Sequence, residues 1–156
     1  MKTLVVYGSR YGNTEKVAVA ISAGLRSTGA VDLLSVEKAQ AVRLHDYDLV
    51  VVGGPTEAHG ATEPITEYID EIGDAFSGIT VATFDTRLRW PKWMSGSAAD
   101  SVASQLESFG ANLVIPPISF IVAGKPAVLE PGELERAEAW GRALAVKVAP
   151  QPVARV

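Results

Sequence analysis

The first polar segment of the chain contains residues that could bind an anion. The segment Gly8-Ser-Arg-Tyr-Gly-Asn-Thr14 follows the apolar run Leu4–Tyr7 and precedes a helical pattern. The hydroxyl groups of Ser9 and Thr14, together with free backbone N–H groups at a helix N-terminus, would form an anion cradle without a dedicated lysine. The alternative is that Asn13 or Thr14 only caps the helix.

Two common phosphate loops do not fit this segment. The pattern GxxxxGK[ST] needs wider glycine spacing, and Asn13 stands where that pattern has lysine. The pattern GxGxxG fails because Arg10 occupies the position of its second glycine. The spacing therefore disfavours a nucleoside triphosphate or a dinucleotide, and it favours a ligand with a terminal monophosphate.

Two further segments have compositions typical of ligand-binding loops. Gly53-Gly-Pro-Thr-Glu-Ala-His-Gly60 has three glycines and a proline, which would let the backbone approach a flat ligand closely. His59 either borders such a ligand or lies exposed in the loop. The segment 84–96 contains two tryptophans, two arginines and a lysine, and these side chains stack on planar rings or pair with anions. The alternative for this segment is a loop folded on its own tryptophans.

The elements that must position these segments are short apolar strands that alternate with helices. Five runs predict strands, most of them apolar throughout as in a sheet covered on both faces: Leu4–Tyr7, Val31–Leu34, Leu49–Val52, Ile79–Phe84 and Asn112–Val122, the last interrupted by Pro116–Pro117. Helical spacing and capping signals predict helices over 17–25 with a stop at Gly29, over 64–76, over 97–109 and from Pro131 to 148, with a weaker helix over 37–45. This alternation predicts an α/β fold with a doubly wound, five-stranded parallel sheet of order 2-1-3-4-5. In such a fold, ligands bind beyond the carboxyl ends of the strands.

Composition limits the classes of function. The 156 residues include no cysteine, which excludes disulfides, thiolate metal sites and cysteine nucleophiles, and two histidines are too few for a histidine-rich metal site. The net charge of −4 argues against a general nucleic-acid or anionic-membrane binder. Since the N-terminal apolar run is too short for a secretory signal and no stretch is long enough to span a bilayer, we expect a cytoplasmic protein. We expect one domain over 1–149 and a frayed tail over 150–156.

Taken together, these segments resemble the flavodoxin family, small FMN-binding electron carriers with the 2-1-3-4-5 sheet. The segment Tyr7-Gly-Ser-Arg-Tyr-Gly-Asn-Thr-Glu-Lys16 is similar to the family's phosphate loop, especially as it occurs in flavodoxin domains of larger diiron flavoproteins. Gly54-Pro-Thr56 resembles the start of the family's second flavin loop. The stretches Phe84-Asp-Thr-Arg87 and Gly96-Ser-Ala-Ala99 are similar to those of a bacterial subgroup of flavodoxin domains.

The resemblance implies FMN as the cofactor and a set of residues that would bind it. The phosphate would be held by Ser9, Arg10, Tyr11, Gly12, Asn13 and Thr14. One side of the isoalloxazine ring would be bordered by Pro55, Thr56, Glu57, Ala58, His59 and Gly60, and the other side by Phe84, Asp85, Thr86 and Arg87.

Three features depart from the family's pattern. Tyr11 replaces a hydroxyl residue that many flavodoxins have, the second loop lacks the tryptophan that often covers the ring, and the third loop lacks the acidic G-D-x-x-Y pattern. Stacking on the ring would instead come from Tyr11, His59, Trp90 or Trp93. The third loop also carries Arg87, Arg89 and Lys92 against Asp85, which predicts two net positive charges near the ring.

The function that the resemblance implies is electron transfer between redox partner proteins, a reductase and an acceptor, with the chemistry supplied by the flavin. Two alternatives stay open, since fold does not decide function: an NAD(P)H-dependent quinone or flavin reductase, and a flavin-free interaction domain. A phospho-receiver domain is excluded because it needs acidic residues after the first strand and at the end of the third. We expect a monomer or a weak dimer that contacts neither nucleic acid nor membrane.

Overall fold

Parallel strands form the centre of the molecule in the computed structural model, which describes residues 1–57 and 59–149. The strands are β1 (Lys2–Tyr7), β2 (Ala30–Ser35), β3 (Leu49–Glu57), β4 (Gly60–Ala61), β5 (Thr80–Leu88), β6 (Asn112–Leu113), β7 (Ile118–Ala123) and β8 (Val128–Leu129). The helices are α1 (Asn13–Leu25), α2 (Val36–Ala39), α3 (Glu63–Ile72), α4 (Lys92–Ser95), α5 (Ala98–Ser108) and α6 (Glu133–Val148).

The order of the long strands confirms the predicted topology. Hydrogen-bonded neighbours follow the order β2-β1-β3-β5-β7-β8. The pairs among β1, β2, β3, β5 and β7 are parallel, so these five strands have the order 2-1-3-4-5 when they are counted along the chain. Two short antiparallel additions are not in the prediction: β4 folds back on the end of β3, and β8 folds back on β7. The topology brings the carboxyl ends of β1, β3 and β5 to one edge.

Two apolar clusters bury the two faces of this sheet. On one face, α1 and α6 pack against the strands through Val17, Ile21, Leu25, Trp140 and Leu144. On the other face, α3 and α5 pack through Ile65, Tyr68, Ile69, Val102 and Leu106. Burial on both faces explains why the central strands read as continuous apolar runs.

Helices α1 and α6 approach each other so closely that only glycine fits at their crossing. A Cβ atom on Gly24 would lie 2.2 Å from the carbonyl oxygen of Glu138, and one on Gly141 would lie 2.3 Å from that of Ile21. Both distances are far below van der Waals contact, so any larger residue would push the helices apart. This crossing fixes the position of α1, whose N-terminus lies at the binding edge.

The structure corrects four details of the predicted elements. β3 and β5 extend beyond their predicted ends at residues 52 and 84, because β5 pairs with β3 as far as Thr86 and with β7 as far as Leu88. The predicted interruption of the fifth strand is confirmed, since β6 and β7 lie on either side of Pro116–Pro117, where prolines have no N–H for the ladder. The weaker helix shortens to α2 and a 3-10 turn at Leu44–Asp46, and α1 ends at Leu25 rather than near Gly29.

The predicted frayed tail over 150–156 lies outside the described residues. Within residues 1–57 and 59–149, no helix combines the length and apolarity needed to cross a bilayer.

Candidate cofactor site

The N-terminus of α1 is open to an anion. The residue that precedes the helix is Gly12, with a left-handed φ of 89° that glycine adopts without strain. Its N–H donates to the Ser9 hydroxyl oxygen at 3.1 Å. No side chain in the described part of the chain caps the first turn, so the N–H groups of residues 13–15 have no helical acceptor. The helix dipole favours negative charge at this point.

The alternative that Asn13 or Thr14 only caps this helix is wrong. The Asn13 side-chain amide donates instead to the Ala127 carbonyl at 2.8 Å, which ties the loop to the turn between β7 and β8. Thr14 is 2% exposed, and its hydroxyl lies 2.9 Å from that of Thr86 on β5. Neither side chain accepts a backbone N–H of the first turn, so neither caps the helix.

Helix α5, whose N-terminus lies close to the same edge, shows what a satisfied first turn looks like. Its first three N–H groups donate to three side chains: that of Ala98 to Thr56 on β3, that of Ala99 to Asp85 on β5 and that of Asp100 to Ser97, which precedes the helix. The Ser97 side chain thus caps the start of the helix that the sequence predicts over 97–109. The contrast shows that this fold leaves α1, but not α5, with free donors.

Two clefts lie on either side of the hairpin formed by β3 and β4. The larger, which we call the acidic cleft, measures about 500 Å³ and is lined by Gly8, Ser9, Arg10, Glu37, Pro55, Glu57 and residues 61–64. The smaller, which we call the aromatic cleft, measures about 230 Å³ and is lined by Thr56, His59, Arg87, Leu88, Trp90, Met94 and Ser95. Side chains alternate along β3, so Pro55 and Glu57 line the acidic cleft while Thr56 lines the aromatic cleft.

The electrostatics of the acidic cleft disfavour a phosphate. Glu37, Glu57 and Glu63 line it, and its one basic side chain, Arg10, is paired with Glu57 at 2.8 Å. Carboxylates would repel a doubly charged phosphate monoester. The larger volume of this cleft is therefore not evidence for the flavin.

The aromatic cleft has the chemistry of a ring site. Thr56 and His59 form one wall, and the segment 87–95 forms the other, with Trp90 53% exposed and Arg87 beside it. His59 has a φ of 71°, a left-handed conformation that is uncommon for residues other than glycine and concentrates at functional sites. The backbone of His59 lies against that of Gly96. A Cβ atom on Gly96 would lie only 2.0 Å from the His59 carbonyl oxygen, so only glycine fits at position 96.

The structure separates the four aromatic residues that the sequence offered for stacking. Trp90 and His59 line the aromatic cleft. Tyr11 and Trp93 are 75% and 82% exposed and contribute to neither of the clefts described above. Leu88, Met94 and Ser95 also line the aromatic cleft and were not named as site residues by the sequence analysis, although all three lie in the tryptophan-rich segment 84–96 that it singled out.

Phe84 and Asp85 do not offer their side chains to a ligand, contrary to the sequence-based expectation. Phe84 is fully buried in the core, with edge contacts to Phe120 and Trp140. Asp85 is also fully buried, and its carboxylate accepts hydrogen bonds at the start of α5. Because β5 continues past residue 84, these positions belong to a central strand and not to a loop.

The paired glycines at the end of β3 serve packing and not a flat ligand. A Cβ atom on Gly53 would lie 2.3 Å from the ring of Phe84, and one on Gly54 would lie 3.1 Å from Ile65. The glycines therefore make room for core side chains. Gly60 lies in β4, and Ala58 lies outside the described residues.

Ion pairs remove most of the positive charge that the third loop was expected to bring to the ring. Arg89 forms a bidentate pair with Glu130, and its hydrogen bonds hold the pKa of that carboxyl below its usual value. Lys92 is paired with Asp100 at 3.2 Å. Arg87 is the cation that lines the aromatic cleft, and it donates to the carbonyls of Leu88 and Trp90. Two of the three cations are therefore neutralised by partners, and Arg87 is the one of the three that lines the aromatic cleft.

Comparison with known proteins decides the family. A model of the flavodoxin domain matches residues 4–110 of the chain. The chain belongs to the flavodoxin family. A protein described as "Probable flavodoxin 2" from Bacillus subtilis (strain 168) is 30% identical over 125 residues, which are 75% of this chain and 80% of that protein. An "NAD(P)H dehydrogenase (quinone)" from Acidovorax ebreus (strain TPSY) is 28% identical over 145 residues, 76% of this chain and 72% of that protein.

Solved structures agree with this membership. A flavodoxin from the domain Archaea superposes with a TM-score of 0.77 at 27% identity, covering 95% of this flavodoxin-family chain and 99% of that one. The chain spans about half the length of some other curated relatives that it matches. Flavodoxins are FMN-binding electron carriers, which makes FMN the cofactor of this family.

The residues present in this flavodoxin-family protein fit FMN. The open first turn of α1 and the hydroxyl of Thr14 offer hydrogen-bond donors and a favourable dipole to a phosphate monoester. The aromatic cleft offers an indole, an imidazole and apolar side chains to a flat ring. Both features lie at the carboxyl edge of β1, β3 and β5, where this class of fold binds its ligands.

Proposed function

We propose that this protein carries electrons between a reductase and an acceptor protein, with FMN held by its phosphate at the N-terminus of α1. The observation that carries the proposal is the uncapped first turn of that helix, in a molecule that caps α5 with three side chains. When bound, FMN supplies reversible one- and two-electron chemistry. The protein's own residues bind and orient the cofactor and set the charge around it.

The phosphate end would be held by the N–H groups of residues 13–15 and by the Thr14 hydroxyl. Ser9 shapes this turn, because its hydroxyl oxygen accepts the Gly12 N–H and holds the loop in its left-handed conformation. Arg10 is directed to Glu57 and ties the first loop to the β3–β4 hairpin. Binding of the phosphate would thus depend on backbone N–H groups and the Thr14 hydroxyl, and not on a cationic side chain.

The ring end would lie in the aromatic cleft between His59 and Trp90. An exposed indole next to a planar ring gains stacking energy and area burial on binding. Arg87, fixed by two backbone carbonyls, would place one positive charge near the ring. Such a charge favours electron uptake by the flavin, since it attracts the negative charge that reduction adds.

Parallel titrations of the purified protein with FMN and riboflavin test the phosphate assignment. Each hydrogen bond to an ionised group contributes about 1.5–3 kcal/mol, so the loss of two of them should weaken riboflavin binding by a factor of at least about 100. Visible absorption and quenching of flavin fluorescence report both affinities. Equal affinities for the two flavins would refute the assignment, and failure to bind either would favour the flavin-free interaction domain.

A pair of tryptophan variants tests the ring assignment. Trp90→Leu should weaken FMN and riboflavin by a similar factor of about 3–10, because stacking is worth about 0.5–1.5 kcal/mol and does not involve the phosphate. Trp93→Leu is the matched comparison from the same loop. A larger loss of flavin affinity in Trp93→Leu than in Trp90→Leu would indicate that the ring stacks on Trp93 instead.

A second candidate function is NAD(P)H-dependent reduction of quinones, supported by the similarity to the Acidovorax ebreus dehydrogenase. The two functions differ in the source of electrons. NADPH alone should reduce the FMN-loaded protein slowly, and a purified NADPH-dependent flavoprotein reductase should accelerate the reduction strongly. Rapid steady-state oxidation of NADPH with an added quinone, in the absence of a reductase, would favour the second function.

A further inference from the structure

Two buried threonine hydroxyls connect the phosphate loop to the central strand β5. The hydroxyl oxygens of Thr14 and Thr86 lie 2.9 Å apart, and the two residues are 2% and 4% exposed. The sequence analysis grouped Thr86 with the residues that border the ring. In the structure it lies on the face of the sheet that α1 covers, and it contributes to neither the acidic nor the aromatic cleft.

The proton count of this pair is unbalanced. Two hydroxyls bring two protons, and the hydrogen bond between them uses one. Within residues 1–57 and 59–149, neither hydroxyl has another hydrogen-bond partner, so one O–H has no acceptor. A buried donor without an acceptor is costly, which makes the pair ready to donate to an anion.

We propose that Thr86 is a positioning residue of the phosphate site, not part of the ring site: it orients the Thr14 hydroxyl so that the pair presents one O–H to a terminal phosphate monoester. In this arrangement Thr86 donates the internal bond to the Thr14 oxygen, which leaves the Thr14 proton free to donate to a phosphate oxygen. This inference rests on the proposed function, in which the FMN phosphate lies at the start of α1. It implies that selectivity for FMN over riboflavin depends on a strand residue 72 positions beyond the phosphate loop.

The test is the ratio of FMN to riboflavin affinity in threonine variants, measured by fluorescence quenching. Thr86→Val keeps the shape of the side chain and removes the hydroxyl, and it should weaken FMN by about 10- to 100-fold and riboflavin by less than about twofold. Thr86→Ser keeps a hydroxyl and should retain the wild-type ratio. Thr86→Ala provides the same deletion if valine disturbs the strand.

Thr83 supplies a matched control on the same strand. Its side chain is also buried, but its hydroxyl donates to the Ala99 carbonyl at 2.9 Å on the opposite face of the sheet. Thr83→Val should lower stability and leave the affinity ratio unchanged. An equal loss of both flavins in Thr86→Val would return Thr86 to the ring site, and no loss of either would make the hydroxyl pair purely structural. A wild-type protein that does not distinguish FMN from riboflavin would overturn the proposed function itself, and this inference with it.

Discussion

Variants of Asp85 can distinguish a structural role of this residue from a role in ligand binding. Its carboxylate is fully buried at the start of α5, where one oxygen accepts the Ser97 hydroxyl at 2.6 Å and the Ala99 N–H at 2.9 Å. The other oxygen has no hydrogen-bond partner in the described part of the chain. The decisive variants are Asp85→Asn, which is isosteric, and Asp85→Ala, which removes the acceptor.

The magnitude follows from these two hydrogen bonds. Each bond to an ionised group is worth about 1.5–3 kcal/mol, and Asp85→Ala would also leave a buried O–H and a buried N–H without acceptors. We expect it to lower the free energy of unfolding by about 3–5 kcal/mol. The amide oxygen of Asp85→Asn can accept both donors as neutral bonds of about 1 kcal/mol each, and the variant no longer buries a charge. The expected loss is therefore about 1–2 kcal/mol.

Urea unfolding of the apoprotein measures these losses, and FMN titration of the same samples measures the ligand effect. Because Asp85 lines neither cleft, FMN affinity should stay within about twofold of wild type in Asp85→Asn. A loss below about 1 kcal/mol in Asp85→Ala would refute the capping role. A tenfold or greater loss of FMN affinity in Asp85→Asn at unchanged stability would restore Asp85 to the ring site.

Two further predictions concern stability. Gly141→Ala should lower the free energy of unfolding by about 3 kcal/mol, because its Cβ atom would lie 2.3 Å from the Ile21 oxygen; a loss of less than about 1 kcal/mol in urea unfolding would contradict this. The pKa of Glu133 is lowered in the folded state by hydrogen bonds from Arg136 and from the Ile121 N–H. The ionised Glu133 carboxylate therefore adds to the free energy of unfolding in full above its unfolded-state pKa, and this stabilisation is lost as the pH falls through its folded-state pKa. Glu133→Gln should thus be less stable than wild type near neutral pH, and the difference in unfolding midpoint should shrink between about pH 6 and pH 3; a constant difference would exclude the linkage.

Local patterns in the sequence were sufficient for the fold and for the position of the loop that precedes α1. Apolar runs and helical spacing depend on which faces of an element are buried, and that pattern repeats within a few residues. The alternation of strands and helices predicts a parallel sheet, and the order 2-1-3-4-5, which is common for five such strands, is confirmed. The segment from Ser9 to Thr14 lies between a strand and a helix, so its position at the helix N-terminus was also predictable.

The environment of the residues after Phe84 was decided by tertiary structure, because the end of a strand depends on its neighbours. The residues of β5 after Phe84 read as a loop, but pairing with β3 and β7 keeps them in the sheet as far as Leu88. Side chains of a strand alternate between its faces, so Phe84 and Thr86 turn toward α1 while Asp85 turns toward α5. Of these three consecutive residues, Phe84 packs in the core, Asp85 accepts hydrogen bonds at the start of α5, and Thr86 pairs with Thr14.

The long-range ion pairs could not be predicted from the sequence either. The net charge of the segment 84–96 is a local property, but the charge that a ligand meets depends on partners elsewhere in the chain. Arg89 is neutralised by Glu130, which lies 41 positions away and is brought beside it because β8 folds back on β7. The sequence thus determined which residue types surround the cofactor edge, and only the packing of distant segments decided which of them remain free to act on a ligand.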